Sequence, residues 1–206
     1  MTKINTRRLV ETALMLAIAL ILSIIKLFKM PWGGAITLCS MLPIVFISYR
    51  YGVKWGTFSS LVYALLQILL DLSELRGIST ITLLGSLWFD YLLGFGILGI
   101  GGLFRNKIKN SAVALAAGSA IASLGRYLCS FLSGFILWGS YAESTLQGFG
   151  DQVAHTILDN FSGWQLSAVY SAIYNGAYML PELIITFIVS LIIGSVPALA
   201  VRQNTK

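Results

Sequence analysis

The sequence predicts an all-α integral membrane protein, a bundle of six transmembrane helices with the N- and C-termini in the cytoplasm. Of its 206 residues, 57% are hydrophobic and only 11% are charged, whereas soluble domains average about 45–50% apolar and about 25% charged residues. The second observation is a series of six apolar runs, and the third is the placement of basic residues between them. These features exclude a soluble enzyme and a disordered chain, and they predict one transmembrane domain over residues 1–206.

The six apolar runs are bounded by charged or turn-forming residues. A membrane-spanning helix needs about 20 apolar residues, which most of these runs provide. The second run is short and contains Pro43, so we expect a kinked or irregular helix there. Pro181 should bend the long sixth run. The runs cover residues 9–28, 35–49, 55–70, 81–104, 112–137 and 166–201.

Basic residues are unequally shared between the two sides of this arrangement. With the N-terminus inside, ten Lys and Arg residues fall in inner segments and three in outer segments. Because cytoplasmic loops are rich in Lys and Arg, this distribution predicts that both termini are cytoplasmic. Membrane orientation therefore explains the net charge of +6, and nucleic-acid binding is not needed to explain it. The same orientation places the long loop at residues 138–163 outside the cell. The inner residues are Lys3, Arg7, Arg8, Arg50, Lys54, Arg105, Lys107, Lys109, Arg202 and Lys206; the outer ones are Lys26, Lys29 and Arg76.

Sequence motifs for nucleotide or metal binding are weak. Residues 94–99 match GxGxxG, but they lie inside an apolar run, where close helix packing through glycines is the better interpretation. The sequence contains no GxxxxGK[ST] motif, so any ATP would be used by partner subunits. Cys39, Cys129 and the single His155 do not have the spacing of a metal site. We therefore predict no metal and no cofactor.

Charged residues inside the predicted spans are the most informative positions. Asp90 lies roughly 15 Å from the outer end of the fourth run, at 1.5 Å per residue. Arg126 lies near the middle of the fifth run, and Glu182 follows Pro181 in the sixth. Charges at such depth face a partner or a wet cavity. Arg126 could pair with either carboxylate and simply order the bundle, but the other carboxylate would then remain for a cationic or hydrogen-bond-donating ligand.

Aromatic and small polar residues gather toward the outer ends of the runs. An interfacial belt of Trp and Tyr explains part of this pattern. A belt does not explain polar side chains that recur along helix faces at matching depths on two runs. An aromatic pocket with one carboxylate suits a small, flat, positively charged molecule. The two sets are Arg126, Ser130, Gly134 and Trp138 in the fifth run, and Tyr170, Ser171 and Asn175 in the sixth.

Taken in order, several stretches resemble one known family. They are the stretch from Leu42-Pro43-Ile44 to Gly52, that from Asp90-Tyr91 to Phe104, that from Arg126 to Tyr141, and that from Tyr170 to Gly176. The chain resembles the thiamine-specific substrate-binding (S) component of energy-coupling factor (ECF) transporters, the vitamin importers of prokaryotes. The resemblance spans nearly the whole chain and implies thiamine binding and uptake through an outward-facing site in a prokaryotic plasma membrane, with no catalytic residues.

The resemblance also implies roles for individual residues. The carboxylate of Asp90 would serve the positively charged vitamin, and Trp138 would stack on it. The family acid is commonly Glu, and a His and a Trp of the family correspond to Ser130 and Tyr63, so an analogue of thiamine or its pyrimidine precursor is the alternative substrate. The predicted substrate-contacting residues are Trp32, from a lid loop, with Tyr63, Asp90, Tyr91, Ser130, Gly134, Trp138, Tyr170, Ser171 and Asn175.

Partner subunits are implied by the first predicted helix. Ala13 and Ala17 lie four residues apart, a spacing that lets another helix approach closely, either within this chain or from a partner. The resemblance implies that they dock on the ECF transmembrane coupling protein, which two cytoplasmic ATPases energise. A stand-alone proton-coupled carrier using Asp90 and Glu182 is a rival hypothesis. A membrane-embedded enzyme is disfavoured because no His lies in a span.

Overall fold

The protein is a helical bundle with a small β-hairpin near its first helix. The structure, a computed structural model, describes residues 6–31, 33–73, 75, 77–148 and 150–197. Strands β1 and β2 pair antiparallel, and a single 3₁₀ turn covers Gly139–Tyr141. In chain order the elements are α1 (Thr6–Ile24), β1 (Lys26–Lys29), β2 (Ala35–Thr37), α2 (Leu42–Tyr51), α3 (Val53–Leu70), α4 (Thr80–Gly102), α5 (Ser111–Leu137), α6 (Ala142–Gln147), α7 (Asp151–Leu158) and α8 (Gly163–Gly194).

Four helices are long and apolar enough to cross a membrane within the described part of the chain. They are α3, α4, α5 and α8. Their outward faces carry large apolar side chains such as Leu65, Ile81, Leu128 and Ile184, each more than half exposed. Such surfaces are favourable in lipid and costly in water. The chain is therefore a multi-pass membrane protein of predominantly helical structure.

Helix α4 changes its winding along its length. It is α-helical over Thr80–Ser86, π-helical over Leu87–Leu93, briefly α-helical again, and a 3₁₀-helix over Ile97–Gly102. The 3₁₀ segment packs against α2, where the buried Ser48 hydroxyl donates to the carbonyl of Gly99 and accepts from the amide of Gly102 at 2.9 Å. This hydroxyl satisfies backbone groups that irregular winding frees inside the bundle.

Helices α5 and α8 lie close together because small residues face each other between them. The hydroxyls of Ser119 and Ser190 are hydrogen-bonded at 2.6 Å. Near the end of α8, a Cβ on Gly194 would lie 2.5 Å from the Cα of Ala112. In a bilayer, where apolar side chains gain little by leaving lipid, such close contacts and interhelical hydrogen bonds hold helices together.

The predicted helix over residues 35–49 is wrong at its beginning. Ala35–Thr37 forms strand β2, and α2 begins only at Leu42. Pro43 does not kink this helix but lies in its first turn, where a missing N–H costs nothing. The first predicted helix likewise ends at Ile24, and Lys26–Lys29 forms β1. The chain is therefore not purely helical.

Glycines explain why the hairpin forms. Gly33 and Gly34 adopt φ angles of +95° and +86°, a conformation that L-residues rarely take. These angles turn the chain back so that β2 pairs with β1 instead of continuing a helix.

The remaining runs agree with the structure more closely. Helices α4 and α5 correspond to the runs at 81–104 and 112–137. Helix α8 begins at Gly163, three residues before the sixth run, and continues through Pro181 to Gly194. The long loop at 138–163 contains two short helices, α6 and α7, that the sequence analysis did not predict. The end of the sixth run, residues 198–201, lies outside the described residues.

Substitution of Gly118 should test the close packing of α5 against α4. A Cβ at Gly118 would lie 1.9 Å from the backbone oxygen of Gly101, and backbone cannot move aside as a side chain can. We expect Gly118→Ala to destabilise the protein by about 1–3 kcal/mol or more, measured as a lower thermal midpoint in detergent. The matched control is Gly176→Ala, where the nearest side-chain atom is 3.8 Å away. Equal midpoints for the two variants would contradict the packing.

Candidate functional site

A cavity of about 490 Å³ lies between the hairpin and helices α3, α4, α5 and α8. Sites for small molecules usually enclose about 300–1,000 Å³, so the cavity is large enough for a ligand of that class. Its described lining combines carboxylates, hydroxyls, one guanidinium and several aromatic rings. The lining residues include Lys26, Thr37, Asp71, Ser86, Asp90, Tyr91, Phe95, Arg126, Ser130, Ser133, Gly134, Trp138, Tyr170, Tyr174, Asn175, Tyr178 and Glu182.

Asp90 reaches the cavity from the π-helical segment of α4. Its Oδ2 accepts a hydrogen bond from the hydroxyl of Ser133 on α5 at 2.5 Å. Four residues earlier on α4, the hydroxyl of Ser86 accepts from the indole nitrogen of Trp138 at 3.1 Å. Hydroxyl groups therefore hold both the carboxylate and the indole ring in place, and both line the same space.

Arg126 forms neither of the ion pairs that the sequence left open. Its guanidinium carbon lies 4.0 Å from the centre of the Phe95 ring. Among the residues that the structure describes, no carboxylate approaches it within 4 Å. The ring face stabilises the cation electrostatically. Arg126 therefore forms no ion pair with Asp90 in the described part of the chain, although its positive charge acts on both deep carboxylates at longer range.

Glu182 is engaged by the hairpin instead. Its two carboxylate oxygens accept hydrogen bonds from the backbone N–H and the hydroxyl of Thr37, each at 2.6 Å. Both residues are buried. Of the two deep carboxylates, Glu182 is therefore committed to β2, whereas Asp90 interacts with hydroxyls of α4 and α5, those of Ser86, Ser130 and Ser133.

The described charges of the cavity do not cancel. Two cationic side chains line it, Lys26 and Arg126, together with three carboxylates, Asp71, Asp90 and Glu182. Lys26 and Asp71 lie 3.8 Å apart in an ion pair. One negative charge therefore remains in excess among these side chains, which favours a ligand with one positive charge.

Tyrosines of α8 form an aromatic wall. Tyr170, Tyr174 and Tyr178 recur every four residues, and their neighbouring rings have centres 5.5 and 6.4 Å apart. Directly after α5, Trp138 lies 5.5 Å from Tyr141 between ring centres. Aromatic faces beside a carboxylate can bind a flat cation through both ring stacking and charge.

Seven of the ten predicted contact residues line the cavity: Asp90, Tyr91, Ser130, Gly134, Trp138, Tyr170 and Asn175. Trp32 lies outside the described residues. Tyr63 is instead buried behind the cavity, edge-on to Phe95 at 5.2 Å. Ser171 donates to the carbonyl of Phe131 at 2.6 Å and links α8 to α5. Direct ligand contact by Tyr63 or Ser171 would therefore require side-chain movement.

Among the lining residues that were not in the predicted contact set, Tyr174, Tyr178 and Ser133 are the most informative. Tyr174 and Tyr178 continue the four-residue period that begins at Tyr170, a signal that was readable in the sequence. Ser133 lies between the predicted Ser130 and Gly134. Its part in holding Asp90 depends on the winding of α4, which no residue pattern reveals.

The chain is similar to proteins described as thiamine transporters. A sequence model of the thiamine transporter protein family matches residues 9–149. The chain belongs to this family. The thiamine transporter ThiT of Bacillus subtilis is 34% identical over 193 residues, covering 88% of this chain and 87% of that protein. ThiT of Lacticaseibacillus paracasei is 26% identical over 211 residues, covering 96% and 92%.

A solved structure supports the same fold. The structure of ThiT from Listeria monocytogenes superposes with a TM-score of 0.69 at 24% identity, covering 95% of this chain and 98% of that one. Membership of a transporter family, together with this fold, means that the protein is not an enzyme.

Gly134 should be intolerant of a side chain at this site. A Cβ there would lie 2.3 Å from the hydroxyl oxygen of Ser171 and 2.9 Å from the amide nitrogen of Asn175. We expect Gly134→Ala to lower stability by about 1–3 kcal/mol, measured by thermal unfolding in detergent. Adding Ser171→Ala removes the closer atom and should restore part of the loss; a double variant no more stable than Gly134→Ala would argue against this contact.

Proposed function

We propose that this protein captures thiamine from outside a prokaryotic cell, as the membrane-embedded substrate-binding subunit of an ATP-driven ECF transporter. One observation carries the proposal: Asp90, which forms no ion pair among the described residues, lines a cavity that Trp138 and the α8 tyrosines also line. Thiamine has a flat ring with one permanent positive charge, which matches the excess negative charge of the described lining. The family and its named relatives support this choice of ligand.

Within this proposal the contact residues have different roles. Asp90 neutralises the ligand charge, and Trp138 and Tyr170 contact its rings. Asn175 orders the site, because its amide nitrogen donates to the carbonyl of Ser130 at 3.1 Å and its oxygen accepts from Tyr178 at 2.9 Å. The aromatic and charged groups thus select the ligand while Asn175 fixes their positions.

We also propose six spans with cytoplasmic termini, in which α1 joins the four long helices and the short α2, together with strand β2 and the turn between them, completes the sixth. An ion-pair cluster supports this arrangement. Glu11 of α1 binds Arg7 at 2.8 Å and Arg50, near the end of α2, at 2.8 Å. The beginning of α1 and the end of α2 therefore meet at one end of the bundle, and their basic residues favour the cytoplasmic side.

Replacing Asp90 should separate ligand binding from folding. Asp90→Asn keeps the side-chain shape but removes the charge, so we expect thiamine affinity to fall at least about 30-fold, the lower end of the effect of removing one charge from a buried pair. Binding would be measured by calorimetry or by quenching of Trp fluorescence. Asp159→Asn, an exposed position, is the matched control and should bind normally.

The same titrations distinguish the alternative substrates. Tighter binding of the uncharged pyrimidine precursor than of thiamine would reassign the substrate. Unchanged thiamine affinity in Asp90→Asn would refute the role of the carboxylate.

The partner proposal rests on the exposed face of α1. Ala13 and Ala17 are both exposed, as expected of small residues that receive a partner helix. We expect Ala13→Leu with Ala17→Leu to leave thiamine binding within about twofold while uptake in cells with the ATPase module falls at least about tenfold. Ala177→Leu, an equally exposed position on α8, is the matched control. Normal uptake by the α1 variant would contradict docking at this face.

A further inference from the structure

The hairpin forms one wall of the cavity, and α8 contacts it at three successive helical turns. The first contact is a hydrogen bond from the hydroxyl of Tyr174 to the backbone carbonyl of Gly33, at 3.0 Å. In the second, a Cβ on Gly34 would lie 2.7 Å from the ring of Tyr178. The third is the pair of bonds to a carboxylate described above. In order along α8 the pairs are Tyr174 with Gly33, Tyr178 with Gly34, and Glu182 with Thr37.

The contact made by Glu182 differs from the other two. Glu182 is the charged residue among the three on α8 that contact the hairpin. Each of its carboxylate oxygens accepts one hydrogen bond from Thr37 at 2.6 Å. Bonds to an ionised acceptor are stronger than those between neutral groups. Glu182 also follows Pro181 directly, and a proline inside a helix removes one backbone hydrogen bond. The strongest polar link to the hairpin therefore starts at the turn of α8 that contains Pro181.

The same link orders the residues that follow β2. The hydroxyl of Thr37 also lies 2.8 Å from the hydroxyl of Ser40, and its oxygen accepts from the amide of Ser40 at 3.3 Å. Between them, Cys39 is held at φ +60° with only 8% of its surface exposed. Releasing Thr37 would therefore loosen the backbone around Cys39.

We propose that Glu182 is a positioning residue that holds β2 against α8 and thereby keeps this wall of the cavity closed on its ligand. The inference rests on the proposed thiamine site, but it assigns Glu182 no contact with the ligand. Its consequence is kinetic: the link sets how fast the ligand leaves. It also explains why two deep carboxylates line one cavity, one for the ligand and one for the wall.

Stopped-flow Trp fluorescence with thiamine would test the kinetic consequence. Thr37→Val removes the hydroxyl and keeps the branched shape, whereas Thr37→Ser keeps the hydroxyl and is the matched control. We expect Thr37→Val and Glu182→Gln to raise koff about tenfold, the size expected for one charge-assisted hydrogen bond, with kon unchanged or faster. Thr37→Ser should keep the wild-type koff. A general loss of structure would instead lower kon or the fraction of active protein.

Cys39 supplies a second readout that does not depend on the ligand. The chain has two cysteines, so a Cys129→Ser background leaves Cys39 as the thiol to be labelled with N-ethylmaleimide. We expect Thr37→Val and Glu182→Gln to speed labelling of Cys39 about tenfold without thiamine, reflecting more frequent local opening. Thr37→Ser should label like the parent, and thiamine should slow labelling of the parent.

The outcomes separate this inference from the proposed function. Equal koff and equal labelling in Thr37→Val and Thr37→Ser would overturn the role of Glu182 even if thiamine binds. If the parent does not bind thiamine but the labelling rates differ as expected, the link between Glu182 and the wall stands and the choice of ligand fails.

Discussion

A charged side chain deep in an apolar bundle must be compensated by the protein, because lipid supplies neither hydrogen-bond donors nor counter-charges. Three such groups share this cavity, and each is compensated differently. Glu182 receives two donors from Thr37, and Arg126 lies on the ring of Phe95. Asp90 interacts with the hydroxyls of Ser133, Ser86 and Ser130. Under the proposed function, Asp90, which among the described residues neither forms an ion pair nor bonds to the hairpin, is the carboxylate that receives the ligand.

The irregular parts of the fold are the parts that produce this arrangement. The π-helical turns of α4 bring Asp90 to the cavity, and the hairpin supplies the donors that occupy Glu182. The regular parts hold these features in place through close contacts, such as that of Gly118 with Gly101. Architecture and site are therefore linked: small residues bring the helices close enough for polar side chains on different helices to meet at one depth.

Much of this could be predicted from the sequence, because apolar runs and buried charges are local patterns. Helix α5 and the shared lining position of Asp90 and Trp138 followed from them directly. The hairpin was missed because Ala35–Thr37 is as apolar as the helix after it, although the Gly33-Gly34 pair was a readable turn signal. The position of Arg126 could not be predicted, since its choice of an aromatic ring over a carboxylate depends on helix rotation and side-chain conformation.

The wide turns of α4 separate the rotation of its first half from the packing of its second half. Each residue added to or removed from a helix turns the preceding part by about 100° relative to the part that follows, and a π turn can absorb one such residue. The side chain presented by Leu87–Leu93 could thus change through a one-residue insertion or deletion while Gly99 and Gly102 keep their contacts. Evolution would then have a short route from one nutrient to another on an unchanged scaffold.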